Sequence, residues 1–132
     1  MKFLIYIIFT VFLLASCELP EGEGGNATIR GHIYMLRYNS DFSRIIQEYY
    51  AVDYDVYIIY GSDTTTYHDD VETHFDGSYE FRYLRPGNYT IYAYSKDTNS
   101  ITGLPKYAIS QKVNISKDDK LVELDDIIVV DN

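Results

Sequence analysis

The sequence predicts an all-β protein, a single antiparallel β-sandwich of about seven strands over residues 26–132. Three observations predict it. From Asn26 onward apolar and polar residues alternate with period two rather than 3.6. The alternating runs are short and separated at close, even spacing by the turn-formers Gly61-Ser62-Asp63, Asp76-Gly77, Pro86-Gly87, Lys96-Asp97-Thr98-Asn99 and Lys117-Asp118-Asp119-Lys120. With 15 Tyr in 132 residues, the chain is also rich in a residue that fits the pleated sheet. That length leaves room for one domain of ordinary size.

The elements follow in order. Ile29, Gly31, Ile33 and Met35 share one face of a first strand, with Thr28, Arg30 and His32 on the other. Between Asn39 and Tyr50 the pattern is irregular. There Phe42, Ile45, Ile46 and Tyr49 fit either a short amphipathic helical turn capped by Asn39, Ser40 or Asp41, or an extended β-branched loop. Val52, Tyr54, Val56, Ile58 and Tyr60 alternate up to the Gly61 turn, and residues 67–76 read as a solvated loop. Tyr79, Phe81 and Tyr83 form the next inward set, then Tyr89, Ile91 and Ala93, then Tyr107, Ile109, Val113 and Ile115. The last run, Leu121 to Val130, is apolar, but Asp125-Asp126 interrupts its register and marks a bulge candidate.

The first 25 residues follow different rules. Lys2 precedes an apolar run from Phe3 to Leu14, too short for a bilayer core that needs about 20 residues. A positive start, a short apolar run and small residues at its exit read as a secretory signal. Leu14-Ala15-Ser16-Cys17 resembles the lipobox of bacterial lipoproteins. The resemblance implies cleavage before Cys17 and acylation of that residue. It thus implies a lipid-anchored protein of a Gram-negative outer membrane, on its periplasmic or its surface face, held almost permanently by several acyl chains. Residues 1–16 are then the signal peptide, and 17–25 the lipidated Cys and a flexible acidic tether. That tether reads either as a plain spacer or as the kind of acidic export tether that some lineages place after the lipidated Cys.

Asp76-Gly77-Ser78-Tyr79-Glu80-Phe81 followed by Leu84-Arg85-Pro86-Gly87-Asn88-Tyr89-Thr90-Ile91 is the most specific stretch. It resembles the carboxypeptidase regulatory-like (prealbumin-like) domains, with their Asp-Gly, aromatic strand, Leu-x-Pro-Gly and following Tyr. The resemblance implies a prealbumin-like or Ig-like sandwich used as an accessory module, and assigns almost no chemistry of its own. Residues 39–50 depart from it, being longer than the usual link between the first two strands.

Charge and motif content narrow the function. A formal net charge of -9 excludes nucleic acid as a partner, since phosphate backbones need a basic footprint. No Gly-x-Ser-x-Gly elbow, phosphate-cradling loop or His-Glu-x-x-His is present, so the chain reads as non-enzymatic, with no catalytic residue and no cofactor. His68 and His74 flank carboxylates, but their spacing is no ligand pattern and no metal is expected. The tyrosines remain. With Tyr89, Ile91 and Ala93 inward, Tyr92 and Tyr94 face outward, and Tyr57 joins them from the neighbouring strand. These three are the candidate ligand-binding residues, for a glycan or a peptide, against the plainer reading of Tyr as a strand former with a wet hydroxyl. Cys17 is the candidate lipid-attachment site. The expected role is an accessory or binding module with a protein partner in the envelope, or alternatively a structural subunit of a surface fibre.

Overall fold

The computed structural model describes residues 17–63, 65–98 and 106–132. The expected signal segment, 1–16, and Asn99 of the fourth expected turn lie outside the described residues. The described chain is all-β, with nine strands in two sheets. In order these are β1 (Glu23–Tyr38), β2 (Ile45–Tyr50), β3 (Asp55–Tyr60), β4 (Asp69–Glu72), β5 (Ser78–Leu84), β6 (Gly87–Lys96), β7 (Lys106–Ile115), β8 (Leu121–Glu123) and β9 (Ile127–Asp131).

The long strand β1 is the spine of the first sheet. Its first half pairs antiparallel with β5 and its second half with β2; β8 and then β9 lie parallel along its other side. The second sheet runs β4-β3-β6-β7, all antiparallel. Both short connections around β5 cross between sheets, so Asp76-Gly77 and Pro86-Gly87 are corners of the sandwich rather than hairpins within one sheet. The first corner is tight: Gly77 N–H donates to the His74 carbonyl at 2.9 Å, with Gly77 at φ 77°. Asp76 Oδ1 accepts from the Ser78 N–H at 3.0 Å and its hydroxyl at 2.6 Å, which starts β5.

The alternation expected of the core holds where register is simple. Ile29, Ile33 and Met35 of β1, Val56 and Ile58 of β3, Tyr79 and Phe81 of β5, and Tyr89, Ile91 and Ala93 of β6 are all buried. Gly31 belongs to the same inner row, and the Tyr79 ring lies across it, close enough that a Cβ there would come within 2.5 Å of the Tyr79 hydroxyl. At the end of the chain the Asp125-Asp126 interruption is a one-residue slip. Ile29 pairs with Val122, but Ile33 pairs with Ile127, so the inward set changes from Val122 and Leu124 to Ile127 and Val129.

Besides the number of strands, nine rather than about seven, six expectations change. Residues 39–50 form neither a helical turn nor a loop throughout: Ile45–Tyr50 is β2, which gives the second half of β1 a ladder partner. The cap-like residues close its hairpin instead, Asn39 Oδ1 accepting from Arg44 N–H at 3.1 Å and Asp41 Oδ1 from Ser43 N–H at 3.1 Å. Residues 69–72, read as loop, pair with β3, because a ladder satisfies the backbone even when the side chains are acidic. Tyr83 points out, 68% exposed, because its positive φ of 59° turns the chain and hands the inward position to Leu84. Tyr107 is 48% exposed at the start of β7, and Val52 is exposed because β3 starts only at Asp55.

The last change concerns the tether. Glu23 to Gly25 already belong to β1, and Glu21-Gly22 are docked. Tyr89 Oη accepts from the buried Gly22 N–H at 2.9 Å and donates to the Arg85 carbonyl at 2.7 Å. Arg85 N–H donates to the Gly22 carbonyl at 2.8 Å, and its Nε to the Pro20 carbonyl at 2.7 Å. Gly25 lies so near the β5 backbone that a Cβ would meet the Leu84 carbonyl oxygen at 2.1 Å. A glycine-rich composition, which reads as freedom, is here what allows close approach.

Candidate functional site

The outer face of the second sheet carries the tyrosines. Inward residues of β6 alternate with Thr90, Tyr92 and Tyr94, and those of β3 with Tyr57 and Ile59. Register places Tyr57 directly opposite Tyr92, with Ser110 of β7 opposite Tyr92 on its other side. The Tyr57 and Tyr92 rings stack, centroids 5.1 Å apart at 19°. Tyr94 meets both edge-on, at 5.6 Å from each. The three tyrosines expected to share a face therefore do so and touch.

A fourth ring joins them. The segment after β3 folds back over the sheet, where His68 N–H donates to the Ile58 carbonyl at 2.9 Å and His68 Nδ1 accepts from Tyr60 N–H at 3.1 Å. His68 also stacks on Tyr60, with centroids 4.8 Å apart, so its imidazole serves the sheet. This turn brings Tyr67 edge-on to Tyr57 at 4.9 Å. Sequence reasoning missed Tyr67 because it sits in a loop with no alternation to give it a face. The sequence carries no signal for it: the loop is forced back along β3 by the ladder to residues 69–72, which show no apolar alternation.

The rings differ in exposure. Tyr67 and Tyr94 are 46% and 40% exposed, whereas Tyr92 is only 9% exposed, roofed by its neighbours. Tyr92 was expected to face solvent; it lies on the outer face but is covered by other tyrosines. Tyr67, Tyr92 and Tyr94 line a groove of about 540 Å³, completed by Ile59, Thr65, Thr66 and Thr90 and, on β7, by Ala108, Ser110 and Lys112. A second hollow of about 270 Å³ begins on the far side of Tyr57 and Tyr94, among Asp53, Asp55, Lys96, Lys106 and Asp131. Tyr94 is the wall between the two. The Tyr54 hydroxyl donates to the Tyr94 carbonyl, which fixes the wall from behind.

Burial, reinforced by the neighbouring Tyr94 ring and hydroxyl, pushes the Tyr92 phenol up to about 12. Burial and the carboxylates of Asp55 and Asp70 raise Tyr57 as well. Both phenols are therefore neutral at physiological pH, able to donate and accept hydrogen bonds. A wall of aromatic faces beside hydroxyls and one ammonium can hold a flat, partly apolar, hydroxyl-bearing ligand. Cys17 is exposed, next to Glu18, which pairs with Lys117 at 2.7 Å.

The chain matches no family model and no curated protein. No family model thus supports the resemblance to the carboxypeptidase regulatory-like domains, which is sharp over residues 76–93. Among solved structures it is similar to a proposed carbohydrate binding protein from Pseudomonas aeruginosa, with a TM-score of 0.49 and 11% identity, over 83% of this chain and 90% of that one. At that level of similarity the neighbour's ligand carries no weight for this chain.

Proposed function

We propose that this chain is a non-enzymatic, lipid-anchored protein of a Gram-negative outer membrane, whose carboxypeptidase regulatory-like sandwich is a binding or accessory module of a surface complex. The lipobox-like Leu14-Ala15-Ser16-Cys17 supports the anchor. The observation that carries the binding role is the four-tyrosine cluster beside the 540 Å³ groove. Its volume falls within the range of about 300–1,000 Å³ common for small-ligand sites. Its rings are held by one another before any ligand arrives, so little rotamer freedom is lost on binding. The ligand that fits is a glycan, or a peptide with an exposed ring, lying against Tyr67 and Tyr94.

Two experiments test the two parts. A glycan array and a peptide array, read with Tyr67→Ala and Tyr94→Ala, should show binding that each variant weakens by roughly tenfold, about 1.4 kcal/mol, in line with an aromatic contact at a binding site. Unchanged binding in both variants would sink the groove reading. Tyr92→Ala is the wrong probe, because that ring is packing as well as surface. Labelled palmitate should enter the protein and fail to enter Cys17→Ala; equal labelling of the two removes the anchor.

A further inference from the structure

The second sheet has two edges, and the fold treats them differently. One is β4, four residues long with three carboxylates. The other is β7, ten residues in unbroken register with β6 from Gly87 opposite Ile115 to Lys96 opposite Lys106. Among the described residues no backbone group pairs with the outer side of β7. Sheet edges of that length are usually blunted by a bulge, a proline or shortness. Here charge is the device at hand.

Both faces of β7 are incomplete. Its inward Ile109 and Val113 stay half-buried, although Ala93 and Tyr89, their partners on β6, are 0% and 1% exposed. Apolar surface is left open at the seam where the core reaches the edge. On the outward face stand Lys106 and Lys112, neither in an ion pair with a described residue. The β6 and β7 strands together contain no Asp or Glu, in a chain whose formal net charge is -9. The two strands thus carry a basic strip in an acidic protein, although Lys106 also shares the smaller hollow with Asp53, Asp55 and Asp131.

We propose that β7 accepts an extended strand from a partner protein, whose alternating apolar and acidic side chains lie over Ile109 and Val113 on the inside and against Lys106 and Lys112 on the outside. Main-chain hydrogen bonds would supply affinity, and the two side-chain rows would supply selection. In the register that brings the two Ile109 residues together, a second copy of this chain is the wrong occupant. Antiparallel pairing of two β7 edges about Ile109 sets Lys106 against Lys112 of the other copy, and like charges opposite each other destabilise a ladder. The lysines thus reject self-association in that register and admit an acidic strand. The inference concerns the sheet edge, which shares Lys112 with the rim of the tyrosine groove, whereas Lys106 lies outside that groove's lining.

The probe is a labelled ten-residue peptide of alternating valine and glutamate, titrated by fluorescence anisotropy against the full chain in detergent. It should bind, and Lys106→Glu combined with Lys112→Glu should weaken it by about tenfold or more. Circular dichroism on that double variant checks that the sandwich is intact, both positions being on the surface. N-methylating alternate peptide residues on one edge should abolish binding, and on the other edge leave it, because a fifth strand uses only one of its edges. Lys106→Glu alone, at a residue outside the lining of the tyrosine groove, should weaken peptide binding as well, which separates the edge from the groove. The proposal is overturned if the peptide does not bind, if an alternating valine and lysine peptide binds equally, if both N-methylated peptides bind like the parent, or if the double reversal leaves affinity unchanged.

Discussion

The Tyr89 hydroxyl gives the sharpest test of how the start of the described chain is held. It accepts from Gly22 N–H at 2.9 Å and donates to the Arg85 carbonyl at 2.7 Å, and Gly22 is buried. Tyr89→Phe keeps the ring, 1% exposed, and removes only the hydroxyl's bonds, these two and a longer contact to the Gly22 carbonyl at 3.3 Å. A buried donor stripped of its partner costs about 1–3 kcal/mol, and the Arg85 carbonyl, nearer to water, adds less, so the total is about 2 kcal/mol. For a domain of this size that corresponds to a fall in Tm of roughly 8 °C. Thermal denaturation followed by circular dichroism reads it. Hydrogen exchange adds the location: Gly22, Glu23 and Gly24 should exchange faster, while β3 and β6 change only as far as global stability does. A Tm within about 1 °C of the parent, with exchange at Gly22 unchanged, would refute the claim that Tyr89 holds this segment.

Other expectations follow from the same geometry. Gly31→Ala puts a Cβ within 2.5 Å of the Tyr79 hydroxyl and 2.8 Å of its ring, so the core must shift; a loss of about 1–3 kcal/mol in urea denaturation is expected. Glu80 is held below its ordinary value of 4.5 by a hydrogen bond from Arg82, then by the charges of Arg82 and Arg30. That stabilisation is complete above the unfolded pKa and is lost as pH falls through the lowered one, so Glu80→Gln should flatten the acid limb of the stability profile below about pH 4.5. In the alkaline range the sign reverses. Burial raises Tyr92 to about 12 from 10.0, so its contribution persists up to pH 10 and is lost as pH rises toward 12. Tyrosinate absorbance should show a fraction of the phenols titrating late, and Tyr92→Phe should reduce that fraction.

Much of the fold was legible because burial imposes a local period. The inward sets of β1, β3 and β6 could be read residue by residue, and so could the slip at Asp125-Asp126, since two like charges cannot both continue an apolar face. The strands that escaped were β2 and β4. All six residues of β2 are exposed and β4 is mostly carboxylate, so neither buries a row of side chains to announce itself. Their existence is decided by ladder bonds to β1 and β3, and ladder bonds leave no mark on side-chain identity.

The candidate site shows the same division. Alternation put Tyr57, Tyr92 and Tyr94 on one face, and strand order made two of them direct neighbours. No local rule could add Tyr67, which arrives on a loop, or show that Tyr92 is roofed while Tyr94 is exposed. The sequence by itself determined the all-β class and the inward residues of β1 and β6, because each rests on a spacing of a few residues. Tertiary structure alone decided that the glycines before Asn26 are packed rather than free, that β7 has no strand on its outer side among the described residues, and that four rings meet beside one groove. Each of these depends on groups far apart in the chain, and distance along the chain is where local periodicity carries no information.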